Sequence, residues 1–573
     1  MGIFQHTSFY SGLAVFRAWC PVLLLIYGLA SAEELPVAAD HGMVVSASEH
    51  ASAAGIEIMQ AGGNAFDAAA TVGFVLAVTF PEAGNLGGGG FMVAHTADGQ
   101  NLSLDFRETA PAAAHRDMFL DEEGNVIDGL SLRSALSSGV PGTVDGLLKM
   151  WNDHGSGNIS REALLAPAIR LADDGFSISA SLADALNSSA VKFKADPEAS
   201  RIFIRKDGRP WTAGHTLEQY SLAHVLRFIS YSGRDAFYTQ GCALQIAQKQ
   251  ARTGGLITIE DLANYASVYR EAIVGTFRNY EIVTMGPPSS GGVLLIQMLN
   301  MLEELPFRQT HWNSPLSVHL LTEVQRRAYA DRAVHLGDPD FWDVPVQTLT
   351  SHRYARERAR LIKPHRITPS ADLSAGEIGP QESEETTHFS VVDKDRNAVA
   401  VTVTLNGRFG SGKVILGFLM NNEMDDFSSK PGVPNLYGVT GGEANAIEPG
   451  KRMLSSMTPT IALKDGKTAL VLGSPGGGTI ITTVLQVFLN VAVHEMDIQD
   501  AVAAPRHHSQ WLPDRIEYED GAISEKTRRE LSRMGHTFAE APRSLGAANC
   551  ILIDEEKIYG APDARRQSAA VGY

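Results

Sequence analysis

Two threonines follow a polar, acidic loop at the start of a predicted strand, in the stretch ESEETTHFSVVDKD. Either residue suits a strand, because a branched side chain packs well on a pleated surface. A threonine hydroxyl becomes a nucleophile when a base lies beside it, and cleavage of the Glu385-Thr386 peptide would supply the α-amine of the new terminus as that base. The unperturbed pKa of such an amine, about 7.7 to 8.0, suits general-base work at neutral pH. The order of loop, threonine and strand therefore predicts a self-cleaving chain with Thr386 as its nucleophile.

A polar cluster is predicted on one face of the hairpin that this strand begins. The segments HFSVVD and AVAVTVTLN alternate in polarity and are joined by the short polar turn DKDRN, which is typical of a β-hairpin. Thr386 and Thr404 are equally far from the turn centre at Asp395, so they are expected to face each other roughly 5 Å apart. Asn406, two residues further on, is expected to point to the same face.

The elements that must position this hairpin can be predicted from the surrounding pattern. Apolar stripes indicate helices over 47–61 and 65–80, separated by a pair of glycines that suits a helix end. Alternation predicts a strand over 102–106. The region from about 160 to 375 has mostly helical patterning, and the polar stretch 376–385, which contains Gly and Pro, predicts a loop.

The composition indicates a secreted globular protein. The chain has 573 residues, of which 44% are hydrophobic, enough for a large core. Its first 32 residues contain one basic residue, Arg17, and an apolar run from Cys20 to Ala30, which resembles a signal peptide cleaved after Ala32. An uncleaved amino-terminal anchor is the alternative, and no other segment is long and apolar enough to span a bilayer. A periplasmic location is expected.

Charge and cysteine content exclude two classes of protein. Loss of the leader removes one positive and no negative charge, so the formal net charge changes from −17 to −18, which argues against nucleic-acid binding. Cys20 would leave with the leader, so only Cys242 and Cys550 remain. Two cysteines do not make a disulfide scaffold, and the sequence leaves open whether they pair.

Three further features have structural interpretations. GRFGSGKV, at 407–414, has the spacing of a phosphate loop, but Val414 replaces the Ser or Thr that would hold magnesium, and no helical pattern follows. The four glycines at 87–90 predict close packing beneath the site, because no dinucleotide-binding fingerprint accompanies them. His388 is predicted to be structural, because an amino-terminal nucleophile carries its own base.

A whole series of motifs resembles one enzyme family. TTHFSVVDKDRNAVAVTVTLN, NNEMDDFSSKPGVPNLYG, LSSMTPT, GSPGGG, GNLGGGGFM and LDFRETAP are similar to segments of the γ-glutamyltranspeptidases, members of the N-terminal nucleophile hydrolase superfamily. MGPPSSGGVLLIQMLNMLE and AYADRAVHLGDPDF extend the resemblance through the middle of the chain. It implies an α/β fold, a four-layer αββα sandwich, in a precursor that cuts itself into a large subunit, 33–385, and a small subunit, 386–573. No metal or organic cofactor is implied.

The resemblance also assigns catalytic roles. Thr386 matches the family's nucleophile, and Thr404 matches the residue that positions it. Gly476 and Gly477 match the oxyanion hole, where backbone N–H groups approach the oxygen with no side chain between. Tyr437 matches the residue that caps the site from a lid loop.

The remaining matches concern the head group of the substrate. Arg107 matches the residue that binds the α-carboxylate, for which a planar guanidinium is well suited, and Ser455 and Ser456 match further contacts to the same group. The α-amino end is matched by three polar residues: Asn406, Glu423 and Asp426. Glu423 stands where some bacterial members have Gln, and a second acid favours an α-ammonium.

These residues predict a γ-glutamyl transferase and hydrolase that acts on glutathione and other γ-glutamyl compounds. Water or an amino acid or dipeptide would accept the γ-glutamyl group. Gly407-Arg408 departs from the small or hydroxyl residues usual at this place, which bears on acceptor preference. The alternatives are a cephalosporin or glutaryl acylase, a poly-γ-glutamate depolymerase, and an inactive amino-acid-binding protein that would not cleave itself.

Overall fold

The predicted hairpin forms the centre of a seven-stranded antiparallel sheet, sheet I. In the computed structural model, which describes residues 35–373, 386–430, 442–554 and 557–573, Thr386 pairs with Thr404 and Val392 with Ala398. The predicted register is therefore confirmed. Sheet I has the strand order Ala569–Gly572, Met43–Ser46, Thr386–Val392, Ala398–Thr404, Gly89–His95, Asn101–Phe106 and Val268–Tyr269.

A second antiparallel sheet, sheet II, also has seven strands. Four of its strands come from the last third of the chain, one from its beginning and two from the middle region, which the sequence predicted as mostly helical. IVGTF and YEIVT in that region are short and lie at one edge of the sheet, so their alternation spans too few residues to stand out among helices. Sheet II has the order Val37–Ala39, Ile558–Ala561, Cys550–Ile553, Lys467–Leu472, Thr460–Lys464, Tyr280–Thr284 and Ile273–Phe277.

The two sheets pack face to face and bury a core between them. This inner core takes Val45 and Phe91 from sheet I and Val283, Ile461 and Val471 from sheet II. Successive side chains of a strand point to opposite faces, so the other face of sheet I is left to pack against helices. Both central strands are buried along their whole length, which explains their nearly continuous apolar sequence.

Helices cover the outer face of each sheet and complete an αββα sandwich, as the resemblance implied. Those sharing a core with sheet I are Glu49–Gln60, Ala65–Thr79, Thr143–His154, Arg161–Asp174, Ala180–Ser188, Ala190–Lys194, Pro197–Phe203, Tyr220–Ser232, Arg234–Tyr238, Gly241–Thr253 and Ile259–Asn264. Those sharing a core with sheet II are Gly291–Glu303, Pro315–His335, Val346–Leu349, His352–Ala359, Thr479–Ala492 and Ile498–Ala503. Leu130–Arg133 and Glu525–Met534 belong to smaller clusters.

The helix Ala65–Thr79 anchors the hairpin to the helical layer. All of its residues are buried, as expected for a helix that is apolar on every side. Asn64 and Asp67 cap its first turn in a capping box. The N–H of Ala65 also donates to Asp393 Oδ2 in the hairpin turn at 2.9 Å, so the turn that sets the strand register is held by the start of the helix.

The four glycines at 87–90 lie where sheet I admits no side chains. A Cβ atom on Gly88 would lie 2.1 Å from the carbonyl oxygen of Thr404, and one on Gly90 would lie 2.3 Å from that of Thr402. Both distances are far below van der Waals contact. The glycines therefore allow the strand Gly89–His95 to approach the nucleophile hairpin, and the predicted close packing is confirmed.

Other sequence predictions fall partly on the described residues and partly outside them. The predicted helices over 47–61 and 65–80 and the strand over 102–106 are confirmed within two or three residues. Cys242 and Cys550 are buried free thiols, so they do not pair. Among the described residues, no helix combines the length and apolarity needed to cross a bilayer. The leader 1–32, the loop 376–385 and Tyr437 lie outside the described residues.

Gly88→Ala is expected to destabilise the protein, because its new methyl group would collide with the Thr404 carbonyl oxygen and separate two central strands. Overpacking of this kind costs about 1 to 3 kcal/mol. The midpoint of thermal unfolding should therefore fall. Gly286→Ala is the control, since a Cβ atom there finds its nearest neighbour at 3.4 Å, an ordinary contact. Equal midpoints for the two variants would contradict the packing argument.

Candidate active site

Thr386 lies at the start of its strand on the face that looks toward sheet II. Its Oγ1 lies 3.5 Å from Thr404 Oγ1, and Thr404 Oγ1 accepts a hydrogen bond of 2.8 Å from the N–H of Asn406. Asn406 has a positive φ of 69°, so the chain turns directly after the strand and brings its side chain to the cleft. The carbonyl of Thr386 accepts from Arg566 Nη1 at 3.2 Å. Thr386 is thus held on both its side-chain and main-chain groups.

His388 takes part in the packing of the strand. Its Nδ1 lies 2.9 Å from Thr402 Oγ1 and its Nε2 lies 3.1 Å from Ser390 Oγ. Complete burial lowers the pKa of His388 to about 3, so the ring is neutral at neutral pH. These contacts agree with the structural role predicted for His388.

A glycine turn forms another wall of the cleft at the start of the helix Thr479–Ala492. Gly476 and Gly477 both have positive φ angles, 130° and 51°, which favour glycine. Gly477 and Gly478 line the cleft, whereas the Gly476 carbonyl accepts from Thr479 Oγ1 at 2.7 Å. The backbone N–H groups at a helix start are unpaired within the helix and carry partial positive charge, so this turn is suited to stabilise an oxyanion.

Arg107 is the centre of a buried charge cluster. Its guanidinium lies 2.7 Å from a Glu423 oxygen, 2.5 Å from Asp426 Oδ2 and 3.5 Å from a Glu108 oxygen. Arg107, Glu108 and Glu423 are almost fully buried, and Asp426 is 11% exposed at the cleft. One cation therefore faces three carboxyl groups.

This imbalance determines the ionisation of the cluster. Burial raises the pKa of Glu423 and of Asp426 above the ordinary range, and it raises the pKa of Glu108 to about 8, while Arg107 opposes the shift in each case. Burial alone would lower the pKa of Arg107, but the three neighbouring carboxyl groups outweigh this effect and raise it. A cationic group entering the cleft beside Asp426 would favour the ionised form of these carboxyl groups, so the cluster is suited to receive an ammonium.

Ser455 and Ser456 lie on a segment braced by residues 287–290. The Ser455 N–H donates to the Pro288 carbonyl at 2.9 Å, and the Ser455 carbonyl accepts from the Ser290 N–H at 2.8 Å. Ser289 Oγ donates to the Met457 carbonyl at 2.6 Å. This pairing holds both serines against the cleft.

The structure brings most of the predicted site residues to one narrow cleft. Glu423 contacts Arg107 at 2.7 Å but does not line the cleft, and Gly476 precedes the lining residue Gly477. Glu385 and Tyr437 are outside the described residues. Four lining residues were not predicted, of which Arg332 is the charged one. Arg332 belongs to the long helix Pro315–His335, where several arginines are buried, so no spacing distinguished it. The lining residues are Arg107, Arg332, Thr386, Thr404, Asn406, Asp426, Ser455, Ser456, Met457, Gly477, Gly478 and Ile480.

The described residues contain neither a cluster of metal ligands nor a helix after the loop 407–414. Within the described ranges, no group of three or more His, Cys, Asp or Glu side chains is placed to hold a metal ion. The loop 407–414 is followed by the short strand Val414–Ile415 where a phosphate loop would require a helix. The cleft therefore offers a nucleophile, an oxyanion site and a charged head-group site.

Comparison with known proteins identifies first the class of fold and then the family. The crystal structure of a cephalosporin acylase from Bacillus halodurans is similar in fold, with a TM-score of 0.83 at 24% identity, and the match covers 96% of this chain and 98% of that one. Together with the two facing sheets between helical layers, this match shows that the chain shares the fold of that acylase.

The sequence narrows this class to one family. The gamma-glutamyltranspeptidase family model matches residues 51–573. A glutathione hydrolase proenzyme of Escherichia coli (strain K12) is 46% identical, over 94% of this chain and 93% of the relative. An acylase ACY 1 proenzyme of Pseudomonas sp. (strain SE83) is 36% identical, over 91% of this chain and 92% of the relative. The chain belongs to the gamma-glutamyltranspeptidase family.

Glu108→Gln is expected to change how stability depends on pH. The folded-state pKa of Glu108 is about 8, above the ordinary 4.5, so the folded protein keeps a proton that the unfolded chain has lost between these values. This contribution to stability is complete below pH 4.5 and is lost as the pH rises toward 8. Glutamine cannot titrate. The unfolding free energy of the variant should therefore fall less steeply with pH than that of the parent, and the two slopes should differ by about 1.4 kcal/mol per pH unit.

The measurement is a series of unfolding midpoints between pH 5 and pH 8 for the parent and the variant. Glu122→Gln is the matched control, because Glu122 is exposed and its replacement should leave the pH dependence unchanged. Parallel curves for Glu108→Gln and the parent would mean that Glu108 is ionised throughout this range.

Proposed function

We propose that this protein is a γ-glutamyltransferase and glutathione hydrolase whose nucleophile is Thr386. The observation that carries the proposal is the placement of Thr386 in one cleft with Arg107, Asp426, Ser455 and Ser456. A free amino-acid head group has one carboxylate and one ammonium, and this cleft offers hydroxyl and guanidinium donors for the first and carboxylates for the second. Membership of the family and the relative named glutathione hydrolase proenzyme support the same activity.

The nucleophile would be created by cleavage of the Glu385-Thr386 peptide, giving a large subunit of residues 33–385 and a small subunit of residues 386–573. The new α-amine of Thr386 accepts the proton of its own hydroxyl as Oγ attacks the γ-carbonyl carbon. Thr404, 3.5 Å away, orients the hydroxyl. The two sheets hold both subunits together, because each sheet contains strands from both segments.

The tetrahedral intermediate carries its negative charge on the former carbonyl oxygen. Backbone N–H groups of the glycine turn stabilise that charge, with Gly476 and Gly477 assigned by the resemblance and Gly478 added by its place in the cleft. The intermediate collapses when the carbon–nitrogen bond breaks and the Thr386 amine returns the proton to the leaving amine. A γ-glutamyl ester on Thr386 Oγ remains. Water releases glutamate from it, and an amino acid or dipeptide forms a new γ-glutamyl peptide.

The acylase alternative differs in what it demands of Asp426. A glutaryl group lacks the α-amino group, so a bound glutaryl amide would give Asp426 and the Arg107 cluster no ammonium to pair with. The same cluster favours a γ-glutamyl compound. Export to the periplasm, with removal of residues 1–32, completes the proposal and rests on the composition of that leader.

Thr386→Ala is expected to leave a single uncut chain without γ-glutamyl hydrolase activity, because both the nucleophile and the group that cleaves the precursor are lost. The intact mass of the purified protein, with sequencing of each amino terminus, measures the first result. Thr387→Ala is the matched control, since Thr387 is the next residue of the strand and faces the opposite side of the sheet. It should yield two chains, one beginning at Thr386. A processed Thr386→Ala protein would refute this nucleophile.

The parent enzyme should hydrolyse γ-glutamyl-p-nitroanilide with a kcat/KM roughly 100-fold or more above that for glutaryl-p-nitroanilide. The two compounds have the same leaving group and differ only in the α-amino group. Asp426→Asn should narrow the ratio, mainly through loss of activity on the γ-glutamyl compound. Equal or faster hydrolysis of the glutaryl compound by the parent would favour the acylase alternative instead.

A further inference from the structure

Arg332 reaches the active-site cleft from the helix Pro315–His335. Its side chain is 6% exposed and lines the same cleft as Arg107 and Thr386. Arg332 Nε donates to Ser290 Oγ at 2.9 Å, and Arg332 Nη2 donates to Ser456 Oγ at 3.3 Å. The planar guanidinium therefore connects the helix to Ser456, a predicted carboxylate contact, and to Ser290 in the segment that braces it.

The bond from Arg332 fixes the polarity of Ser456. A guanidinium has only donors, so Ser456 Oγ must be the acceptor, and its hydroxyl hydrogen is left for a different acceptor. Ser455 is polarised in the same way, because Ser455 Oγ accepts from the N–H of Met457 at 3.1 Å. Two serine hydroxyls that both accept from N–H groups are two O–H donors for an anion in the cleft.

Arg332 also supports Ser455 through the main chain. Ser290 Oγ accepts from Arg332 and donates to the Ser455 carbonyl at 2.7 Å, so a short chain of hydrogen bonds runs from the guanidinium to the backbone of Ser455. Arg107, the predicted carboxylate contact, is already bonded to Asp426 and Glu423 within 2.7 Å. A carboxylate that enters the cleft must share Arg107 with these groups. The other donors of the cleft therefore contribute more to its binding.

On these grounds we infer that Arg332 is a positioning residue for the substrate α-carboxylate. It orients the Ser455 and Ser456 hydroxyls as donors and adds a second positive charge to that side of the cleft. The inference rests on the proposed function, since it specifies how that site recognises one group of the γ-glutamyl donor. Lysine keeps the charge but cannot reach Ser290 and Ser456 with two donors of fixed geometry.

The test compares two ligands that differ only in the α-carboxylate, L-glutamate and 4-aminobutyrate. Dissociation constants are measured by calorimetry on the processed two-chain protein, for the parent, Arg332→Lys and the control Arg358→Lys. Arg358 donates to Asp331, the neighbour of Arg332 on the same helix, at 2.8 Å, and it does not line the cleft. Arg332→Lys should weaken L-glutamate binding roughly 10- to 100-fold, and 4-aminobutyrate binding and the control should change less than about threefold.

Kinetics on γ-glutamyl-p-nitroanilide provide a second readout. Arg332→Lys should raise KM by the same factor and lower kcat much less, since the nucleophile and the oxyanion site are untouched. Equal weakening of both ligands, or a fall in kcat at unchanged KM, would mean a general structural role and would overturn the inference. If the parent binds 4-aminobutyrate as tightly as L-glutamate, the proposed head-group site itself fails, which is a different result.

Ser456→Ala keeps the test decisive if Arg332→Lys does not fold. This variant retains Arg332 and its bond to Ser290 but removes the acceptor hydroxyl. It should weaken L-glutamate binding and leave 4-aminobutyrate binding unchanged. In the Ser456→Ala background, Arg332→Lys should weaken L-glutamate binding by a clearly smaller factor than it does in the parent, because the two residues act through one hydrogen bond. Full additivity would contradict the coupling.

Discussion

The antiparallel pairing of Thr386–Val392 with Ala398–Thr404 is the constraint on which the rest of the structure depends. Both strands are buried on both faces, and a shift of one residue would turn Thr386 away from sheet II and toward the helices. The glycines at 87–90 admit the neighbouring strand, and the turn at Asp393 is bonded to a helix start. These contacts maintain one register, and that register sets Thr386 opposite Thr404.

The second constraint is electrostatic. A buried arginine shared among Glu108, Glu423 and Asp426 would be a costly arrangement if its only purpose were stability, because desolvation of four ionisable groups exceeds what one cation returns. Its consequence is a cleft with more carboxyl groups than Arg107 alone can pair with before substrate arrives. An α-ammonium beside Asp426 stabilises the ionised form of these groups, so recognition of the substrate and ionisation of the site are coupled.

The sequence predicted those parts of the structure that depend on local pattern. The hairpin register follows from alternation around one polar turn, and the helices over 47–61 and 65–80 follow from their apolar stripes and the glycines between them. The strands Ile273–Phe277 and Tyr280–Thr284 were missed because five residues at a sheet edge carry little periodic signal among helices. Arg332 was missed for another reason: its position in the cleft depends on how the helix Pro315–His335 packs against residues 287–290 and 455–457, which are distant in sequence.

The same distinction explains why the sequence predicts the nucleophile and its partner more completely than the residues that determine substrate specificity. The nucleophile, its partner Thr404 and the turn between their strands are contiguous, so one segment encodes their geometry. The head-group site is assembled from Arg107, Arg332, Asp426 and Ser455-Ser456, which reach the cleft from separate elements of both sheets and their helices. A change in packing far from Thr386 can therefore alter which acyl group binds while the nucleophile stays in place. Relatives named as acylases and as glutathione hydrolases can share one fold for this reason.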